Sequence, residues 1–101
     1  MRTIKLKGCT PDAVVDLMKT ILCGMVECRG EFTDAMLDQM NAFNKQVGRG
    51  ALERDKGKPF TLKLKLDESE FRTILTGVAV GLAEGKGSTL AVHLVDESNW
   101  S

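Results

Sequence analysis

The chain has 101 residues, of which 43% are hydrophobic and 28% charged, with 14 basic and 14 acidic side chains and a formal net charge of zero. A chain of that length forms one domain that buries about two thirds of its unfolded surface and needs no staple to fold. No apolar run is long enough to span a bilayer, and three cysteines without a Cys-x-x-Cys spacing argue against a secreted disulfide framework.

Only 5% of the residues are aromatic and there is no Tyr, so the core is expected to be aliphatic. Met1-Arg2-Thr3 leads straight into an alternating segment, not into a charged and then apolar leader, so a cytoplasmic location is expected. The zero net charge hides alternating blocks. Residues 1–10 hold three bases and no acid, and residues 11–44 hold six acids against two bases. Residues 45–65 hold seven bases against two acids, and residues 66–101 six acids against two bases. A total of zero therefore does not exclude a polyanionic partner on one face.

In chain order, Thr3–Lys7 alternates with period two, Ile4 and Leu6 one way and Lys5 and Lys7 the other, which predicts a half-buried strand ended by Gly8. Thr10 then caps a helix, with Pro11 at its first position and Asp12 in its first turn. Val14, Val15, Leu17, Met18, Ile21, Leu22, Met25 and Val26 fill one broad half of that helix, and Gly30 closes it. A second helix starts at Thr33, with Phe32 stapled on Leu37. It carries a narrow stripe of Met36, Met40, Phe43 and Val47 and stops at Gly48. The Met36, Met40 and Phe43 stripe reads as core more readily than as a partner surface.

Residues 49–59 show no apolar periodicity and read as a charged, flexible loop. Phe60–Leu66 predicts a second strand with Lys63 and Lys65 outward. Asp67 and Glu70 form a capping box for a third helix, whose stripe is Phe71, Ile74, Leu75, Val78 and Leu82. Ser88–Asp96 alternates again and predicts a third strand, Leu90, Val92 and Leu94 inward and Ala91, His93 and Val95 outward; residues 97–101 are a tail.

The predicted fold is an α+β (or α/β) two-layer sandwich in one domain over residues 1–96. A three-stranded sheet carries three helices on one face in the order strand, helix, helix, strand, helix, strand. Two helices between the first two strands imply an antiparallel pair, and the last two strands fit a right-handed βαβ unit. The segments TIKLK (3–7) and TLKLK (61–65) match, as do KTILCG (19–24) and RTILTG (72–77). Either a duplicated unit or the general likeness of amphipathic segments accounts for this.

The glycines of GVAVGLAEGKGS (77–88) do not form a phosphate loop. The spacing from Gly81 to Gly85 is one residue short, Gly87 separates Lys86 from Ser88, and a helix enters where a strand should. Helical spacing accounts for more of them. Thr73, Gly77, Gly81 and Gly85 form a ridge of small residues along the third helix, and Thr20, Gly24 and Cys28 form one on the first. An interior glycine costs about 1 kcal/mol relative to Ala. Close packing of one ridge on the other offsets that cost; a homodimer seam built on one ridge is the competing reading.

Lys5, Lys7, Lys63 and Lys65 share the outward parity of the first two strands, and the neighbouring segment adds Arg49, Arg54, Lys56 and Lys58. Such a face suits an acidic protein surface or a phosphate backbone, or it keeps the strands soluble. No aromatic platform or recognition-helix motif favours nucleic acid. His93, the only histidine, lacks an evident nucleophile or paired carboxylate for acid–base chemistry. Cys9, Cys23, Cys28 and His93 match a zinc set in number only, because Cys23 and Cys28 lie about 140° apart on one helix. Trp100, in an acidic tail, either folds back on the domain or anchors a partner.

The expected function is that of a small non-enzymatic protein-interaction module, a regulator or inhibitor of a larger machine such as accessory or phage-type genes encode. It needs no cofactor, metal or membrane, and its partner is a larger protein or complex. Nucleic-acid binding through the lysine face is the alternative.

Overall fold

Two alternating strands, β1 (Arg2–Cys9) and β2 (Phe60–Leu66), pair antiparallel and present Ile4, Leu6, Leu62, Leu64 and Leu66 on one face. The computed structural model describes residues 1–52 and 58–101. Four helices complete the fold: α1 (Pro11–Glu27), α2 (Asp34–Leu52), α3 (Glu68–Ala83) and α4 (Thr89–Val95), followed by a 3-10 turn at Glu97–Asn99. The order is strand, helix, helix, strand, helix, helix.

The expected three-stranded sheet with three helices is therefore wrong, and with it the βαβ unit. Over the described residues the sheet has two strands, and Thr89–Val95 is a helix. Seven residues are too few for period two and period 3.6 to separate. The burial follows the helix: Ala91 is 0% exposed and Val92 is 59% exposed, the reverse of the strand parity. Ser88 caps the helix, accepting a hydrogen bond from the Ala91 N–H. At the other end, two carbonyls that a helix terminus leaves unpaired accept side-chain donors. Asn99 Nδ2 donates to the His93 carbonyl at 2.8 Å, and Trp100 Nε1 donates to the Leu94 carbonyl at 2.7 Å.

The other helix starts agree with local chemistry. Thr10 accepts from the Ala13 N–H, and Thr33 accepts from the Met36 N–H. Asp67 and Glu70 complete the capping box at 2.8 and 3.2 Å. Two expectations about extent fail. The second helix runs past Gly48 to Leu52, because Gly48 and Gly50 are there for packing: a Cβ at Gly48 would press on Met18 and one at Gly50 on Leu62. The buried stripe of α1 is narrower than expected. Val14, Leu17, Thr20, Ile21 and Gly24 are buried, while Val15, Leu22 and Val26 are exposed.

Close approach of α1 and α3 explains that narrow stripe. A Cβ on Gly24 would run into the Gly77 carbonyl, and one on Gly81 into the Thr20 carbonyl. The contacts Gly24 with Gly77 and Thr20 with Gly81 mean the helices pass in opposite directions. The two small-residue ridges thus face each other within one chain, which removes the reading of a ridge as a homodimer seam. The buried Thr20 hydroxyl lies 3.0 Å from the Asp16 carbonyl and 2.8 Å from the Lys86 carbonyl, holding the turn after α3 against α1.

Both halves of the chain are strand-helix-helix, and the matched segments obey one approximate two-fold. The sheet register pairs Ile4 with Leu64, Lys5 with Lys63 and Leu6 with Leu62. The alignment of TIKLK on TLKLK maps Lys5 onto Lys63, so this pair lies on the axis. The second alignment maps Gly24 onto Gly77, which are also in contact. The outer helices are exchanged: α2 flanks β2, and α4 flanks β1.

Two predictions follow from this packing. Gly24→Ala and Gly81→Ala meet backbone carbonyls that cannot yield, so each should destabilise the fold by about 1–3 kcal/mol or more. Gly77→Ala meets the movable tip of Met40 and should cost less; urea melts of the three variants check the order. The Asp67 carboxyl is held below the ordinary carboxylate range, first by the hydrogen bond it accepts from the Glu70 N–H. Its contribution to stability is therefore complete above the unfolded value of about 3.9 and is lost as pH falls through the lower folded value. Asp67→Asn, still a capping residue, should flatten that part of the melting temperature against pH curve.

Candidate interaction surface

With the leucine face of the sheet under the helices, the opposite face carries Lys5, Lys7, Lys63 and Lys65, all exposed. The backbone fixes how closely they sit. Thr3 donates its N–H to Ser101 at 3.1 Å and accepts the Ser101 N–H at 2.8 Å, so its peptide groups turn away from β2. By the alternation of an antiparallel ladder, which is regular from Arg2 to Leu6, the peptide groups of Lys5 also turn away from β2; Lys7 follows where the register shifts between Leu6 and Cys9. Lys5 and Lys63 are then a non-hydrogen-bonded pair, with Cα atoms about 4.5 Å apart, the closer of the two cross-strand spacings.

Like charges directly opposite one another destabilise a sheet, and no carboxylate among the described residues forms an ion pair with these. The ion pairs among the described residues belong to two arginines. Arg2 bridges Glu68 at 3.1 Å and Glu97 at 3.5 Å, and Arg72 approaches Glu68 at 3.8 Å. Arg2, from the same basic block as Lys5 and Lys7, is thus neutralised on the helix side, where its guanidinium also lies 4.5 Å from the Phe71 ring centroid.

The other sequence candidates divide. His93 sits exposed on α4 instead of on a strand, and it lines a groove of about 510 Å³ together with Lys5, Leu6, Lys7, Ala13 and Leu90. Arg49 is exposed near the end of α2, and Lys58 is exposed just before β2. Arg54 and Lys56 lie outside the described residues. The structure therefore brings Lys5 and Lys7 to one groove with His93, and sets Lys63 and Lys65 beside those two lysines on the exposed face of the sheet.

Trp100 takes the first of its two readings and folds back. It is 6% exposed, meets Phe71 edge-on with centroids 5.1 Å apart, and donates to Leu94. Met40 and Phe43 lie in the core and Met36 is half-buried. Cys9 and Cys28 are buried. Burial pushes both thiols up, and Glu31 and Glu27 add to the effect at Cys28, so both are held as inert thiols.

Sequence reasoning missed the groove, because it depends on α4 being a helix. The Ser88 cap was its one local signal. Gly8, expected to end the first strand, lies inside β1, and its positive φ of +67° falls in the register shift between Leu6 and Cys9 beside the groove.

No family model matches this sequence, and no curated protein or solved structure is significantly similar to it.

The position of Trp100 makes its own test. Its fluorescence in the free protein should be shifted to the blue of water-exposed indole. Trp100→Ala should lower stability by about 3–5 kcal/mol, read by urea denaturation.

Proposed function

We propose that this protein is a small, non-enzymatic binding module of the cytoplasm whose lysine-bearing sheet face docks on an acidic surface of a larger protein or complex. It acts by occupying that surface, as a regulator or inhibitor does. The observation that carries the reading is the Lys5–Lys63 pair on the two-fold. Its like charges are adjacent, exposed and without a carboxylate among the described residues. A partner's carboxylates would relieve a repulsion that the free protein sustains, so complementary charge strengthens both encounter and complex.

Among the described residues, the side chains suited to chemistry do not converge. His93 is exposed and its ring makes no hydrogen bond among the described residues, and two of the three thiols are buried. No described helix is long and apolar enough to cross a membrane.

Nucleic acid is the second reading, favoured by the same four lysines. Against it, the outward positions beside them are Thr3 and Thr61, which offer no stacking platform for bases.

Poly-glutamate and duplex DNA of matched charge separate the two. The wild type should bind poly-glutamate at low salt, and the variant with Lys5, Lys7, Lys63 and Lys65 all changed to Thr should not, while its far-ultraviolet spectrum stays the same. Tighter binding to DNA, falling steeply with salt as several phosphate contacts require, would put the nucleic-acid reading in first place. Binding to neither polyanion would remove the lysine face as a site.

A further inference from the structure

The edge of β1 away from β2 is partly used already. Ser101 exchanges both backbone hydrogen bonds with Thr3, the arrangement of an antiparallel hydrogen-bonded pair. The chain before Ser101 turns inward at Trp100, so this strand-like contact ends after one rung. The next outward-facing peptide groups on the edge are those of Lys5, and Lys7 follows where the register shifts between Leu6 and Cys9. None of them bonds to a turn, helix or side chain among the described residues. The groove between this edge and α4 lies alongside both residues, floored by Ala13 and Leu90 and bordered by Thr89 and His93. A row of unpaired N–H and C=O groups on a strand edge is a template for another strand.

We infer that the free edge of β1 at Lys5 and Lys7 is a strand-addition site for an extended acidic segment of a partner protein. The segment pairs antiparallel in the sense Ser101 already does. The inference rests on the proposed acidic protein partner and specifies how that partner is held.

The geometry dictates the segment's pattern. Residues opposite Lys5 and Lys7 project on the lysine face, so two acidic side chains at alternate positions meet two ammonium groups. The residue between them lies opposite Leu6 and projects toward the helices, where Ala13 and Leu90 offer apolar surface. The occupant is thus acidic, apolar, acidic in alternation. A second copy of this chain fits poorly, because pairing β1 with β1 sets lysine opposite lysine. A nucleic acid has no alternating peptide donors and acceptors to continue the ladder. The edge of β2 is covered where Gly50 of α2 comes down on Leu62.

The test uses the wild-type protein and a fluorescent five-residue peptide alternating glutamate and valine, glutamate at both ends, read by anisotropy. In the antiparallel pairing the N–H groups of the glutamates point at β1 and those of the valines point away. N-methylation of the internal glutamate should weaken binding about ten-fold or more, equivalent to ~1.4 kcal/mol, whereas N-methylation of a valine should change it little. A serine–valine peptide of the same length should bind more weakly than the glutamate peptide. Equal effects of the two methylations, or none, overturn strand addition. If poly-glutamate still binds in that case and the four-threonine variant loses it, the lysine face stands as the site and only the edge is wrong. If the peptide and poly-glutamate both fail to bind, both readings fall. A peptide-independent dimer by light scattering, lost in Lys5→Pro, assigns the edge to a second copy and overturns the inference.

Discussion

A two-stranded sheet is narrow. Its strands stand about 4.8 Å apart, whereas two helices packed through ordinary side chains stand 8–10 Å apart. Helices at that separation would overhang both edges and leave the leucines between them open to water. The crossing of α1 and α3 at Gly24 and Gly77 resolves the mismatch, because neither helix has a side chain there to hold the other away. The two fit on the sheet as a pair. The helix α2 then packs beside β2 and α4 beside β1, and Phe71, Ile74, Leu17 and Ile21 join Ile4 and Leu64 in one buried core.

This arrangement puts every helix on the leucine side and leaves the other side of the sheet to solvent. The lysines could not be there otherwise: under a second layer, four ammonium groups would require partners or neutralisation. The two-fold intensifies the effect, since it sets Lys5 against Lys63 and brings one basic block of the chain beside another that lies far off in sequence. Of the acids that balance the total, Glu68 and Glu97 are drawn to Arg2. A chain with no net charge thereby acquires a cationic face.

The elements that could be read from the sequence are those with long or redundant signals. Both strands alternate over five or more residues. Three helices announce themselves by caps and by stripes of three or more turns, and Asp67 with Glu70 marks its helix start to the residue. The small-residue ridges were legible too, because glycine inside a helix has a cost that demands close packing. Failures came where local signals were short or had two uses. Seven residues at Thr89–Val95 satisfied either period. Gly48 served as a packing glycine and not as a stop. Val15, Leu22 and Val26 had the spacing of core positions, but the crossing at Gly24 turned them outward.

The candidate surface divides along the same line. Period two in TIKLK and TLKLK was enough to place Lys5, Lys7, Lys63 and Lys65 together on the side away from the leucines, because alternation is a property of the extended chain itself. The open edge and its groove were decided only in three dimensions. Whether β1 gains a third strand depends on where Ser88–Asp96 goes. That segment becomes a helix because Asn99 and Trp100 satisfy its last carbonyls from a distance along the chain. Backbone groups choose their partners in the folded molecule, and no local pattern of side chains records that choice.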